Sequence, residues 1–144
     1  MTNSDPYDLQ RFIDAQRASY ARAVDELKAG RKRSHWMWYI FPQIQGLGRS
    51  AMAQKYAIAS LDEAKAYLDH PILGLRLREC TRLVTAMKGS PIEDILPYPD
   101  DLKFHSSMTL FAHAAADNQI FLDALKNFFR AEFDGATLAR ALRF

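Results

Sequence analysis

Two stretches of the chain concentrate the residue types that bind or transform small molecules. The first, "RKRSHWMWYIFPQIQGLGRS" at positions 31 to 50, sets Arg33 and His35 before an aromatic run and Gln43, Gly46, Gly48, Arg49 and Ser50 after it. Guanidinium groups form charge-assisted, often bidentate hydrogen bonds with phosphate and carboxylate. A glycine-punctuated turn leading into a serine-capped helix presents backbone N–H groups to an anion. Trp36 and Trp38 add flat apolar surface on which a planar ligand can stack. The stretch matches neither the P-loop nor the dinucleotide-binding fingerprint. The second stretch, "DDLKFHSSMTLF" at positions 100 to 111, puts Lys103, Ser106, Ser107 and Leu110 on one helical face and His105 and Thr109 on an adjacent one. Serine beside lysine or histidine can be a nucleophile, but same-helix spacing supplies no general-base geometry. Lys103, Ser106 and Ser107 are therefore read as ligand contacts. With Phe104, Met108 and Phe111 turned to the core, this polar face is expected to look toward water or a cleft.

No metal site and no cofactor are expected. His35, His70, His105 and His113 are scattered without a carboxylate at ligand spacing, and Cys80, the single cysteine, falls on an apolar seam.

Helices must position these residues. From Pro6 to Ala29, Leu9, Phe12, Ile13, Tyr20, Val24 and Leu27 recur at helical spacing, interrupted only by Gln16. Arg11, Asp14, Arg22, Asp25 and Glu26 take the opposite face, and Gly30 closes the element. Ser60 with Glu63, and Ser90 with Glu93, form capping-box patterns. Pro71 suits the start of a helix carrying Leu73, Leu77, Cys80, Val84 and Met87 inward. Pro99, Asp100 and Asp101 open the next helix, and Asp117 or Asn118 caps another, with Phe121, Leu122, Leu125, Phe128 and Phe129 inward. "DGATLARALRF" forms a last short helix. Trp36, Met37, Trp38, Tyr39, Ile40 and Phe41 favour strand by type, yet Ser34 as N-cap and Pro42 as stop favour a helix, apolar all round and so central. Truncating Trp38 to alanine is then expected to cost about 3–5 kcal/mol. No alternating strands with hairpin dipeptides occur. The predicted fold is all-α: one domain over residues 1–144, a compact bundle of about six to eight helices with the aromatic segment in its middle.

Composition is that of an ordinary folded protein, 49% hydrophobic and 25% charged over 144 residues. A formal net charge of +2 argues against a dedicated polyanion or membrane-surface binder. One cysteine permits no intrachain disulfide, the N-terminus lacks the pattern of a signal peptide, and the apolar run is too short to span a bilayer. A cytoplasmic protein without membrane association is expected.

"DPYDLQRFIDAQ", "RKRSHWMWYIFPQIQGLGRSAMAQKYAI", "LDHPILGLRLREC" and "DDLKFHSSMTLF" together resemble the bacterial family known as domain of unknown function 1810, in order and over nearly the whole chain. The resemblance implies a mainly helical single domain and no established activity. Relatives have been labelled calpastatin, but those inhibitors are disordered repeats, which this repeat-free composition is not. The family pattern has arginine where this chain has His105, so a cation rather than an imidazole is what that position implies.

Two functions fit these residues. In the first, a pocket binds an anionic small molecule such as a nucleotide or nucleotide derivative, with or without turnover. Arg33, Arg49 and Lys103 supply charge, Gly46 and Gly48 supply N–H groups, and Trp36 or Trp38 stacks. It requires His35, Arg49, Lys103 and Ser106 to converge on one concavity. In the second, Arg31, Lys32 and Arg33 form an open basic face for RNA or a protein partner.

Overall fold

Chain chemistry in the computed structural model, which describes residues 4–142, produces helices wherever a cap and an apolar stripe coincide. Their order is α1 (Gln10–Arg17), α2 (Tyr20–Lys28), α3 (Met37–Ile40), α4 (Ala51–Lys55) and α5 (Leu61–Asp69), then α6 (Leu73–Thr85), α7 (Ile92–Ile95), α8 (Asp100–Ala114), α9 (Gln119–Phe129) and α10 (Gly135–Ala141). The fold is all-α, with no strand among the described residues. Residues 143 and 144 of the last predicted helix lie outside them. None of the described helices is long and apolar enough to cross a membrane.

Ten helices among the described residues, rather than six to eight, arise because some are single turns and because the helix expected over residues 6–29 divides at Ala18 and Ser19. Gln16, just before the division, is buried rather than a flaw in the stripe. Its Nε2 donates to the Tyr39 carbonyl at 2.7 Å and to the Tyr67 hydroxyl at 3.2 Å, and its Oε1 accepts from Arg76 at 3.2 Å. A buried amide with its donors and acceptor used is stable where an orphaned one is costly. Ser19 accepts the Tyr39 hydroxyl proton at 2.8 Å. The polar joint between α1 and α2 is thus built around the segment that α3 presents.

The predicted caps were formed unevenly. Ser60 Oγ accepts from Glu63 N–H at 3.1 Å, while the Glu63 carboxylate reaches one residue further back, to Ala59 N–H at 2.9 Å. Ser90 and Asn118 make no side-chain cap: Pro91 takes the N-cap of α7, and the Asn118 amide donates to the Ala112 carbonyl instead.

The core is one connected cluster to which nearly every element contributes. The aromatic segment enters it through Trp36, Met37, Tyr39, Ile40 and Phe41, leaving Trp38 partly exposed. Its helix is one turn, with Trp36 as N-cap in place of Ser34. The truncation cost of a fully buried tryptophan therefore attaches to Trp36, 1% exposed, rather than to Trp38. Helix α8 runs through the core beside it, packed by α5, α9 and α10. This corrects the expectation of an open polar face on α8: Ser106 and Ser107 are buried, and α10 closes over that side through Asp134, whose carboxylate lies 3.2 Å from Ser106 Oγ.

Candidate functional site

Pro42 follows the one-turn helix α3, and the chain then runs as an ordered loop to α4. A single parallel bridge between Ile44 and Ile58 holds it: Gln45 N–H donates to the Ile58 carbonyl at 2.7 Å, and Ile58 N–H to the Gln43 carbonyl at 2.8 Å. Ile44 is buried, so the loop is anchored at its base. Gly46 then turns with φ +97°, a conformation that side chains disfavour. Gly48 approaches α4 so closely that a Cβ there would stand 2.6 Å from the Ala53 Cβ. Ser50 caps α4 as predicted, accepting from Ala53 N–H at 3.1 Å, and Gln54 Nε2 donates to the Arg49 carbonyl at 2.8 Å.

These constraints shape a cavity of about 510 Å³. Gln43, Gln45, Gln54 and Arg49 line it together with Ile44, and Gly46, Gly48, Ala53 and Ala57 leave the room. Arg49 is exposed, and among the described residues its guanidinium has no ion-pair partner. Such a wall can accept an anion at one point and read hydrogen-bonding edges at several others.

The remaining candidates lie elsewhere. Lys103 sits on α8, its ammonium 5.4 Å from the centre of the Trp38 ring and 3.6 Å from Asp100. The same carboxylate pairs with Lys32 at 2.8 Å, and Lys32 lies 5.3 Å from the Trp36 ring centre. Lys32 is therefore committed within the fold, while Arg31 and Arg33 are exposed. His35 is exposed, and its carbonyl accepts from the Tyr39 hydroxyl at 3.3 Å. Ser107 Oγ is buried and has no hydrogen-bond partner among the described residues. The expected convergence of His35, Arg49, Lys103 and Ser106 is not what the loop cavity shows: Gln43, Gly46, Gly48 and Arg49 line it, and the other three do not. Trp36 is withdrawn from stacking because it is buried with its indole N–H bound to Glu26 at 2.9 Å.

Glu26, on the polar face of the predicted stripe, organises the approach to the aromatic segment instead of standing free in solvent. It accepts from Arg33 N–H at 2.7 Å, Ser34 N–H at 2.9 Å and Ser34 Oγ at 2.5 Å, besides the indole. Burial alone would raise its carboxyl, but these hydrogen bonds outweigh burial and bring it from 4.5 down to about 2. No sequence signal marked it, since its partners come from beyond the Gly30 turn. Gln45 and Gln54 carry no such signal either: Gln45 adjoins Gly46, and Gln54 lies on α4 beyond the glycine turn.

Comparison with known proteins agrees with this architecture. The family described as "Protein of unknown function (DUF1810)" matches residues 6–141. The crystal structure of the conserved hypothetical protein Rv1873 from Mycobacterium tuberculosis is similar at a TM-score of 0.95 and 51% identity, covering 97% of this chain and 100% of that one. No curated protein matches the chain.

Proposed function

The chain belongs to the family described as Protein of unknown function (DUF1810), and from the geometry of its glycine loop we propose that it binds an anionic small molecule, a nucleotide or nucleotide derivative, in the cavity beside Arg49. One observation carries the reading: an arginine that among the described residues has no ion-pair partner lines a cavity whose other walls are three glutamines, Ile44 and small residues. A surface arginine with no such setting is an ordinary solvated charge. Here the amides of Gln43, Gln45 and Gln54 offer both donors and acceptors, as a base edge or ribose requires. Lys103 and the tryptophans are left out of this site, and the single cysteine supports a cytoplasmic setting.

A nucleotide panel screened by thermal shift and followed by calorimetry tests it. Arg49→Ala is expected to weaken binding about 10- to 150-fold, the loss of one charge-assisted hydrogen bond. Arg31→Ala, on an exposed approach, is expected to change little except the salt dependence. RNA binding that requires Arg31 and ignores Arg49 would replace this reading with a nucleic-acid module.

A further inference from the structure

Gly46 stands between two concavities. On one side is the Arg49 cavity. On the other is a second of about 330 Å³, lined by Ser60 and Arg140 among others, and Ile44 and Gln45 line both. A Cβ built on Gly46 would lie 2.2 Å from Arg140 Nη1 and 2.6 Å from its Cζ. The guanidinium thus fills the place of the missing side chain, beside the Ile44 and Gln45 stretch that lines both hollows.

Helix α10 is fixed so that Arg140 reaches this point. The Asp134 carboxylate caps α10 by accepting from Thr137 N–H at 3.1 Å and meets Ser106 Oγ at 3.2 Å. Asp134 N–H donates to Thr109 Oγ1 at 2.9 Å, tying the same residue to α8 a second time. Among the described residues no carboxylate pairs with Arg140 or with Arg49. Each guanidinium attracts an anion, and one ligand that reaches both satisfies two charges at once.

We infer that Arg140 is the second cation of the Arg49 site, so that its ligand carries two linked anionic groups, as in a pyrophosphate, one for each guanidinium. This rests on the binding site proposed above and adds the ligand class. A single phosphate would engage one guanidinium; a diphosphate would engage both, each through a planar fork suited to phosphate oxygens.

Calorimetric titration with inorganic pyrophosphate and orthophosphate tests it. The wild-type chain is expected to bind pyrophosphate at least about tenfold more tightly than orthophosphate, beyond what one contact gives. Arg140→Gln should erase that preference, and Arg140→Lys, keeping the charge without the fork, should retain part of it. Arg22→Gln, an exposed arginine on α2, controls for net charge and should keep the preference whole. Phosphate or nucleotide binding that depends on Arg49 but shows no preference lost in Arg140→Gln overturns the inference and leaves the proposed site standing. Failure of the wild-type chain to bind either phosphate or any nucleotide overturns both.

Discussion

Four donors converge on the carboxylate of Glu26, and their geometry makes a pH-dependent fastener. Its carboxyl is held at about 2, below its ordinary 4.5, so the unfolded chain takes up this proton first as pH falls. The stabilisation is whole above pH 4.5 and is lost as pH falls from 4.5 toward 2. Glu26→Gln is expected to destabilise the protein by about 1.5–3 kcal/mol, because an amide has one acceptor oxygen where four donors need two. Urea unfolding at a series of pH values should show the variant losing less stability than wild type across that window. Equal slopes would mean that Glu26 does not carry the titration. This fastening was invisible in the sequence for a plain reason. A glutamate on the polar side of an amphipathic stripe reads as solvated unless one knows which backbone returns over it.

Arg11 repeats the lesson between elements. It too falls on the polar side of the first stripe, yet it bonds the Lys55 and Ala57 carbonyls at 2.9 Å each and pairs with Glu63 at 2.9 Å. Helix α1 is thereby stapled to the segment between α4 and α5, whose Ile58 pins the cavity loop. The side chains are 15% and 3% exposed, so removing one partner strands the other in a dry setting. Arg11→Met is expected to cost about 3–5 kcal/mol, and the double variant Arg11→Met, Glu63→Gln should recover part of it. A denaturant series on both variants and the wild type measures this coupling. Additive losses would show that the two groups act independently. What sequence made legible was local: the Ser60 and Ser50 caps, the helix end at Gly30, the turn at Gly46 and the stop at Pro42 depend on a few neighbouring residues. The split at Ala18 and Ser19, the shortness of α3 and the burial of Ser106 and Ser107 depend on partners many positions away. The same distinction runs through the site. Gln43, Gly46, Gly48 and Arg49 lie close enough in the chain for their shared wall to be read from spacing, whereas Lys103 faces Asp100 and Trp38, and Arg140 reaches Gly46 only through the anchoring of α10.

One connected core implies that the molecule opens as a whole, and Cys80 is placed to report whether it does. It lies at 0% exposure on α6, the helix that α2, α5 and α9 all pack against. Burial pushes its thiol up to about 12, with the Tyr20 hydrogen bond only partly offsetting that effect. At pH 8 the folded chain therefore presents almost no thiolate, and a thiol reagent must wait for opening. Two routes are available. If α1 and α2 swing away at their polar joint, Cys80 is exposed while the rest of the core stays closed. If the core yields only as a unit, labelling requires global unfolding. The continuity of the cluster through Leu27, Leu77, Val84 and Phe121 favours the second. The free energy of opening obtained from labelling rates is thus expected to equal that from urea unfolding followed by tryptophan fluorescence, within about 1 kcal/mol. A markedly smaller value from labelling would locate a separate, weaker unit in the first two helices. The joint at Ser19 would then be a point of motion rather than a turn in a rigid wall.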